Sequence, residues 1–351
     1  MRKFNEQKNE QNYKILAVDD EEGIIDSLSI ILKRAGYHFT GVTDPTEAIE
    51  VIKNEHFDLL LLDFLMAPYH GDQVVEEIRK FNKELYILLL TGNGGTNDMI
   101  EGLESGADDY LAKPVSIPEL KARIKIGERL FEYERRLKIE EENIRISCYK
   151  TLTELAEARD HETGTHLSRI AGLARCLAEA AGCSPDFCAD IEMFSPMHDI
   201  GKVGIPDGIL HLPRRLTDAE FAIMKTHAEI GYQILKDKET LETAAEIAHT
   251  HHERWDGKGY PQGLEKENIP LSGRIVAIAD TYDALRSIRP YKLPFNHEES
   301  AEWIKKSSGT AFDPDLVKVF TKVEHKMEEI FNSQYDPKLA EAILKKSLDA
   351  L

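Results

Sequence analysis

The chain has 351 residues, which is enough for two or more domains that each bury a hydrophobic core. Hydrophobic residues make up 42% of it and charged residues 30%, the balance of a soluble globular protein. The formal net charge of −19 argues against nucleic acid or an anionic membrane as a general partner, because both are negatively charged.

The cysteines and the chain ends predict a cytoplasmic location. No apolar run reaches membrane-spanning length, and residues 1–12 are polar, so we expect a disordered tail and neither a signal peptide nor a membrane partner. No two cysteines form a C-x-x-C pair, which indicates free thiols in a reducing compartment. These cysteines are Cys148, Cys176, Cys183 and Cys188.

Four short apolar runs in the first part of the chain each end in polar residues. Such runs are typical of buried parallel strands, and the amphipathic stretches between them suit crossover helices. Open α/β sheets place their sites at the carboxyl ends of strands, so we predict a doubly wound α/β domain over 13–118 with a site at that edge. The runs are Lys14–Val18, Phe57–Leu62, Leu85–Leu90 and Asp109–Ala112.

This arrangement resembles the receiver domain of response regulators. The resemblance implies that Asp63 is the phosphoacceptor and that Mg²⁺ is held beside it, which suits clustered carboxylates that would otherwise repel each other. It also implies a threonine and a lysine that contact the phosphoryl group and an aromatic residue that reports the switch. The residues assigned to the Mg²⁺ site and the switch are Asp19, Asp20, Thr91, Tyr110 and Lys113.

One position departs from the receiver pattern. The family usually places proline four residues after the phosphoacceptor, whereas this chain has Ala67 there, followed by Pro68. We therefore expect the loop Phe64–Gly71 to differ in shape, with an effect on phosphorylation kinetics.

Residues 119–150 are predicted to form a helical connector. Ser116–Glu119 resembles a capping box with proline in the first helical turn. Apolar residues then recur at alternating four- and three-residue steps, which is the spacing of a coiled coil. We favour a homodimer joined through this helix over a single exposed linker helix, since a stripe of this width would be costly in a monomer. The seam consists of Ile126, Leu130, Tyr133, Leu137, Ile144 and Ser147, interrupted by Glu140.

Residues 151–351 show helical periodicity without strand signals, which predicts an all-α bundle. The bundle contains many candidate metal ligands, because imidazole nitrogens and carboxylate oxygens bind Zn, Fe and Mn. Eight such groups are too many for one ion, so we predict two or three metals. The candidates are Glu162, His166, His198, Asp199, His227, His251, His252 and Asp280.

The order and spacing of motifs over 145–330 resemble the HD-GYP phosphodiesterases, the branch of the HD superfamily that hydrolyses cyclic di-GMP. The resemblance implies an all-α fold and a metal-dependent active site in this part of the chain. The matching motifs are His198–Lys202, His251-His252-Glu253, Gly259-Tyr260-Pro261, Ala279–Ala284, Arg289-Pro290-Tyr291-Lys292 and Phe312-Asp313-Pro314.

The same resemblance implies how the metals are held. Asp199 would bridge two ions, and Glu162 accompanies a third ion in some members, so we favour three ions over two. Iron is the expected metal and manganese the alternative, because the mixed N/O ligand set accepts both. Nearby His161 and His249 are expected not to be ligands. One ion would be held by His166, His198, Asp199 and Asp280, and the second would be completed by His227, His251 and His252.

The expected chemistry is hydrolysis of a phosphodiester. Metal coordination lowers the pKa of water to about 7, and Lys202 would neutralise phosphoryl charge together with the ions. Lys202 follows His198 by four residues, so one helical turn would aim both at the same region. Arg286 and Ile288 stand where family members often have Thr and Asp, which changes the nucleotide contacts. The resemblance implies substrate contacts from Lys202, Tyr260, Pro261, Arg289 and Lys292.

We therefore expect a response regulator that hydrolyses cyclic di-GMP to pGpG, or onward to GMP, and is controlled by a cognate histidine kinase that phosphorylates Asp63. A non-catalytic adaptor is one alternative, with the Gly-Tyr-Pro loop docking partners such as diguanylate cyclase-type domains. The intact ligand set argues against it. The same chemistry on another cyclic dinucleotide is a second alternative, and the sequence leaves it open.

Overall fold

The computed structural model describes residues 13–66, 69–92, 96–159, 164–212, 214–288 and 294–335. The predicted tail, residues 1–12, lies outside these ranges. Contacts divide the chain into two compact units, Met1–Glu142 and Asn143–Leu351. Within the described ranges, no helix combines the length and apolar character needed to cross a membrane. All four cysteines are free thiols.

The first unit contains a five-stranded parallel sheet with the strand order β2-β1-β3-β4-β5. The four predicted runs all form strands. The edge strand β2 was missed, because most of its residues are exposed or half-buried and it carries no continuous apolar run. The strands are β1 Lys14–Val18, β2 His38–Val42, β3 Leu59–Asp63, β4 Tyr86–Thr91 and β5 Asp109–Ala112.

Helices cover both faces of this sheet, as a doubly wound fold requires. Alternate residues of β3 point to opposite faces, so Leu60 and Leu62 belong to one hydrophobic cluster while Leu59 and Leu61 belong to another. The helices are α1 Glu22–Arg34, α2 Pro45–Asn54, α3 Gly71–Arg79 and α4 Thr96–Glu104.

A single helix of 41 residues, α5 Ile117–Glu157, contains the predicted connector. Leu120 and Ile124 at its beginning belong to the core of the first unit, and Ala156 at its end belongs to the core of the second. Four seam residues between them are strongly exposed in the single chain, and the predicted dimer stays a prediction. These are Leu130, Tyr133, Leu137 and Ile144.

The described part of the second unit is helical, as predicted. Its core joins the apolar faces of most of its helices into one cluster. The motif that carries His198 and Asp199 forms a 3-10 helix, Ser195–Gly204, which we call the HD segment. The α-helices are α6 Gly164–Ala180, α7 Pro185–Phe194, α8 Asp207–Leu210, α9 Asp218–Met224, α10 Thr226–Leu235, α11 Glu242–Thr250, α12 Leu271–Arg286, α13 His297–Lys306 and α14 Pro314–Gln334, with short 3-10 turns at Glu239–Leu241 and Lys266–Asn268.

One glycine explains how the HD segment reaches its neighbour. A Cβ atom on Gly201 would lie 1.9 Å from the carbonyl oxygen of His227 and 2.4 Å from the nitrogen of Gly231. Any side chain would therefore push the HD segment away from α10. The close approach brings His227 next to the two ligand candidates of the HD segment.

Candidate metal centre and phosphoacceptor site

The structure brings seven of the eight predicted metal ligands together in two groups. Within each group the candidate ligand atoms all lie within 4.8 Å of one another. The eighth candidate, Glu162, lies outside the described residues, so the third-metal prediction stays a prediction. The first group is His166, His198 and Asp280, and the second is Asp199, His227, His251 and His252.

The ligands come from separate elements that converge in the bundle. His166 lies on α6 and Asp280 on α12, whereas His227 lies on α10. His251 and His252 follow the last residue of α11. Since each helix is held by the common core, the spacing of the ligands is set by helix packing.

Backbone carbonyls orient three of the imidazole rings. A carbonyl oxygen only accepts a hydrogen bond, so the Nδ1 atom facing it carries a proton, and Nε2 is the atom that faces the cluster. Metal-binding histidines are commonly oriented in this way. The Nδ1 distances are 2.9 Å from His198 to the oxygen of Ser195, 2.7 Å from His227 to that of Met224, and 3.1 Å from His251 to that of Ile247.

Asp199 lies between the two groups. Its Oδ2 atom is 3.2 Å from Nε2 of His198 and 2.8 Å from Nζ of Lys202. Its Oδ1 atom is 3.1 Å from Nε2 of His227 and 3.6 Å from Nε2 of His251. One carboxylate therefore presents one oxygen to each group, which is the geometry needed to bridge two cations.

The charges of the cluster fit a site for cations. Burial alone would lower the pKa of His198, but the charges of Asp199 and Asp280 outweigh burial and raise that pKa to about 10. Burial would raise the pKa of Asp199, but Lys202 and His198 hold it well below its usual range. Burial, together with His251 and His227, lowers the pKa of His252. A bound cation would take over the charge compensation that a proton on His198 provides.

His198 and Lys202 do face the same region, since both lie beside Oδ2 of Asp199, but the turn that carries them is a 3-10 helix and not the expected α-helical turn. Residues three apart eclipse each other in a 3-10 helix, so Lys202 pairs with Asp199. The side chain of Lys202 is only 15% exposed. Its ammonium group therefore lies at the carboxylate that separates the two ligand groups.

The Gly-Tyr-Pro loop borders the second group. The ring centroid of Tyr260 lies 4.7 Å from that of His252, and burial raises the pKa of the tyrosine. Pro261 is exposed beside it. A Cβ atom on Gly259 would lie 2.4 Å from the nitrogen of Arg254, so this turn requires glycine.

Glu253 shapes this loop, a role that sequence analysis did not assign. Its buried carboxylate accepts hydrogen bonds from the backbone nitrogens of Gln262, Gly263 and Leu264 at 2.7, 3.1 and 3.1 Å. The signal was available in the sequence, since an acidic residue adjoins two histidines just ahead of a turn-rich segment.

Asp283 and Arg169, to which the sequence analysis gave no role, support His166. Its Nδ1 atom lies 2.7 Å from Oδ2 of the buried Asp283, which also pairs with Arg169. The guanidinium of Arg169 stacks over the ring of Phe331, 5.1 Å from its centroid. Arg169 lies three residues after His166 and so on the same face of α6. A charged residue on this buried face was the signal in the sequence that a partner of opposite charge lies there.

Two other predicted substrate contacts, Arg289 and Lys292, lie outside the described residues, as does His161. His249 lies away from the two ligand groups. Its Nε2 atom is 2.9 Å from Glu229 and its ring stacks on Tyr232.

The first unit holds the predicted phosphoacceptor site at the carboxyl ends of β1 and β3. Carboxylate oxygens of Asp19, Asp20 and Asp63 lie within 4.8 Å of one another. Lys113 places its Nζ atom 2.8 Å from Asp19 and 2.9 Å from Asp63. Hard oxygen ligands of this kind suit Mg²⁺.

The remaining receiver residues lie on the next two strands of the sheet, β4 and β5. Thr91 is buried at the end of β4, and Tyr110 lies on β5, packed against the hydrophobic core. Burial raises the pKa of Asp63, although Lys113 partly opposes it. The loop departure at Ala67 and Pro68 lies outside the described residues.

Comparisons with known proteins agree with this division of the chain. The model of the response regulator receiver domain matches residues 15–125, and that of the HD domain matches residues 150–316. A cyclic di-GMP phosphodiesterase of Thermotoga maritima is 35% identical over 345 residues, covering 92% of this chain and 93% of that protein. The cyclic di-GMP phosphodiesterase response regulator RpfG of Xanthomonas campestris is 35% identical over 305 residues, covering 82% and 81%.

A third relative is named for a different substrate. The 3'3'-cGAMP-specific phosphodiesterase 2 of Vibrio cholerae is 36% identical over 274 residues, covering 75% of this chain and 51% of that protein. Together, the receiver site, the paired ligand groups and these relatives show that the chain belongs to the family of response regulators that join an N-terminal receiver domain to a C-terminal HD-GYP cyclic di-GMP phosphodiesterase domain.

Proposed function

We propose that this protein hydrolyses cyclic di-GMP to linear pGpG at the two ligand groups joined by Asp199, under the control of phosphorylation at Asp63. The position of Asp199 carries the proposal, because each of its two carboxylate oxygens faces one of the two ligand groups. Relatives named as cyclic di-GMP phosphodiesterases support the choice of substrate. A further cleavage of pGpG to GMP would use the same site.

Seven described ligands are enough for two ions, and the ligand chemistry supports iron, with manganese as the alternative. A third ion would need Glu162. When bound, the ions would activate water and draw charge from the phosphoryl oxygens.

The chain's own residues would complete the reaction. The new bond joins a water oxygen to phosphorus while the bond to the leaving 3′ oxygen breaks, and a proton ends on that oxygen. Lys202 would neutralise charge on the phosphoryl group. Tyr260 and Pro261 would border the nucleotide on the side of His252, with Arg289 and Lys292 as further predicted contacts.

Control by a histidine kinase rests on the receiver site. Phosphorylation of Asp63 would add an anion beside Lys113 and Thr91, with Mg²⁺ held by Asp19 and Asp20. A homodimer through α5 would bury the exposed seam that includes Leu130 and Leu137.

The test is a hydrolysis assay with elemental analysis on the same preparations. Wild-type protein should release pGpG and contain two or more iron or manganese ions per chain. His198→Ala and Asp199→Ala should lose metal and turnover, whereas Asp190→Ala, an exposed aspartate on α7, should lose neither. Beryllofluoride, a phosphoryl mimic, should change turnover in wild-type protein but not in Asp63→Asn. A wild-type protein with a single bound ion and no pGpG would reject the proposal.

A second candidate is the same chemistry on a mixed cyclic dinucleotide. The relative named for 3'3'-cGAMP favours it, because 75% of this chain aligns with that protein. Comparing kcat/KM for cyclic di-GMP and 3'3'-cGAMP separates the two, since the preferred substrate has the larger value.

A further inference from the structure

Arg159 lies two residues beyond the end of α5 and binds the chain just after Lys202. Its Nη1 atom donates to the carbonyl oxygen of Val203. Its Nη2 atom donates to the carbonyl oxygen of Ile205 at 3.2 Å and to Oδ1 of Asp207 at 2.6 Å. One guanidinium therefore binds two carbonyls of the same turn.

Val203 lies in the last turn of the HD segment, which ends at Gly204, and Ile205 is the residue that follows it. The last carbonyls of a helix lack partners within it, and a cation at that end also offsets the helix dipole. Arginine suits the task because its donors form a rigid, planar fork. The nitrogen of Ile205 donates to the carbonyl oxygen of Lys202 at 3.0 Å, so the bound turn includes Lys202 itself.

The beginning of the HD segment is also bound by α5. Phe194 directly precedes the segment, and its ring centroid lies 5.8 Å from that of Tyr149. The hydroxyl of Tyr149 lies 3.0 Å from Oγ1 of Thr240, which fixes this part of α5. The last turns of α5 and the residue beyond them thus bind the HD segment at both ends.

Between these two ends, the backbone of the HD segment at Gly201 packs directly against α10 at His227, where a Cβ atom would clash. Lys202 is the next residue, and its Nζ atom lies 2.8 Å from Asp199. A small shift of the turn at Val203 would therefore change where the ammonium group points rather than move the metal ligands.

We propose that Arg159 is a positioning residue that holds Lys202 in place for the substrate phosphate and transmits displacement of α5 to it. This inference rests on the proposed function, because it is there that Lys202 meets the phosphate. Misplacing a charged group by about 1 Å costs up to about a hundredfold in rate. We therefore expect Arg159→Ala to lower kcat/KM by about 10- to 100-fold, with the metal content unchanged.

A double-mutant cycle tests whether Arg159 acts through Lys202. On a Lys202→Ala background, Arg159→Ala should change kcat/KM by less than about twofold, since residues that act together are not additive. Equal effects on both backgrounds would overturn the inference, as would a loss of metal. Asp207→Asn removes the ion pair but keeps both carbonyl bonds, so it should retain most of the activity. Arg175→Ala is the matched arginine control, because the partners of Arg175 in the described part of the chain are exposed carboxylates.

Hydrogen exchange measured by mass spectrometry gives a readout that needs no activity. Peptides covering 195–207 should exchange faster in Arg159→Ala than in Arg175→Ala, and unchanged exchange would overturn the inference. If wild-type protein hydrolyses no cyclic dinucleotide, the proposed function fails, while the exchange result still decides whether Arg159 holds the turn.

Discussion

Oδ2 of Asp283 lies 2.7 Å from Nδ1 of His166, and both side chains are buried. A carboxylate in this position holds the imidazole proton on Nδ1 and points Nε2 at the partner ligands His198 and Asp280. The same carboxylate balances the buried charge of Arg169. Asp283 therefore links metal binding to the stability of the bundle.

We expect Asp283→Asn to weaken metal binding by about 10- to 100-fold, as the loss of such a supporting group typically does. Competition titration of the metal-free protein with a chelator of known affinity would measure this. Asp315→Asn, which breaks an exposed pair with Lys318 on α14, is the matched control and should bind metal normally. Equal affinities for the two variants would contradict the role assigned to Asp283.

The same carboxylate should also contribute to acid sensitivity. Burial would raise the pKa of Asp283, but His166 and Arg169 outweigh burial and hold that pKa far below its usual range. Its stabilising effect is therefore complete above the unfolded pKa of about 3.9 and is lost as the pH falls below it. Denaturant unfolding of metal-free protein, followed from about pH 6 down to about pH 3, should show a smaller pH-dependent loss of stability in Asp283→Asn than in wild type. A parallel decline in both would contradict this.

Glu253→Gln should loosen the Gly-Tyr-Pro loop without removing a metal ligand. The amide nitrogen of glutamine cannot accept a hydrogen bond, so it would face at least one of the three backbone donors that the carboxylate now satisfies. We expect KM to rise about tenfold, equivalent to about 1.4 kcal/mol, with a smaller change in kcat. Steady-state kinetics would measure it. The control Glu267→Gln changes an exposed residue of the next turn, and a KM shift as large in that variant would count against the prediction.

Asp63→Asn should stabilise the receiver unit when Mg²⁺ is absent. Burial raises the pKa of Asp63, so the ionised carboxylate costs folding free energy at neutral pH, and this cost grows as the pH rises from the unfolded pKa to the folded pKa. Thermal unfolding should give a higher midpoint for the variant, together with a smaller stabilisation by added Mg²⁺. Asp20→Asn, at an exposed member of the same cluster, should raise the midpoint less. A lower midpoint for Asp63→Asn would contradict the argument.

Charges placed in the α5 seam should dissociate the proposed dimer. Leu130 and Leu137 are 48% and 46% exposed in the single chain, and lysine at both positions would bring like charges together across a parallel seam. Analytical ultracentrifugation should show a dimer for wild type and a monomer for the Leu130→Lys, Leu137→Lys double variant. Ile139→Lys changes an equally exposed apolar residue off the seam and should leave the dimer intact. A monomeric wild-type protein would exclude this interface.

The sequence by itself determined most of the elements and the candidate site residues that they carry. Hydrophobic runs and helical periodicity are local properties, so four strands of the sheet, the long helix and the bundle were readable from residue spacing. The sequence also identified the seven ligand candidates that the structure describes in the second unit. Each of them belongs to a short motif that can be recognised without knowledge of the fold. The edge strand β2 was not predicted, since its exposed residues produce no apolar run.

Only the tertiary structure decided which residues meet. The hydrogen bond between Asp283 and His166 joins residues that are 117 positions apart in the chain. The hydrogen bond between Arg159 and Val203 joins residues that are 44 positions apart. Such pairs depend on how whole helices pack, which no local pattern encodes. The 3-10 winding of the HD segment was likewise visible only in the structure, and it pairs Lys202 with Asp199, three residues before it.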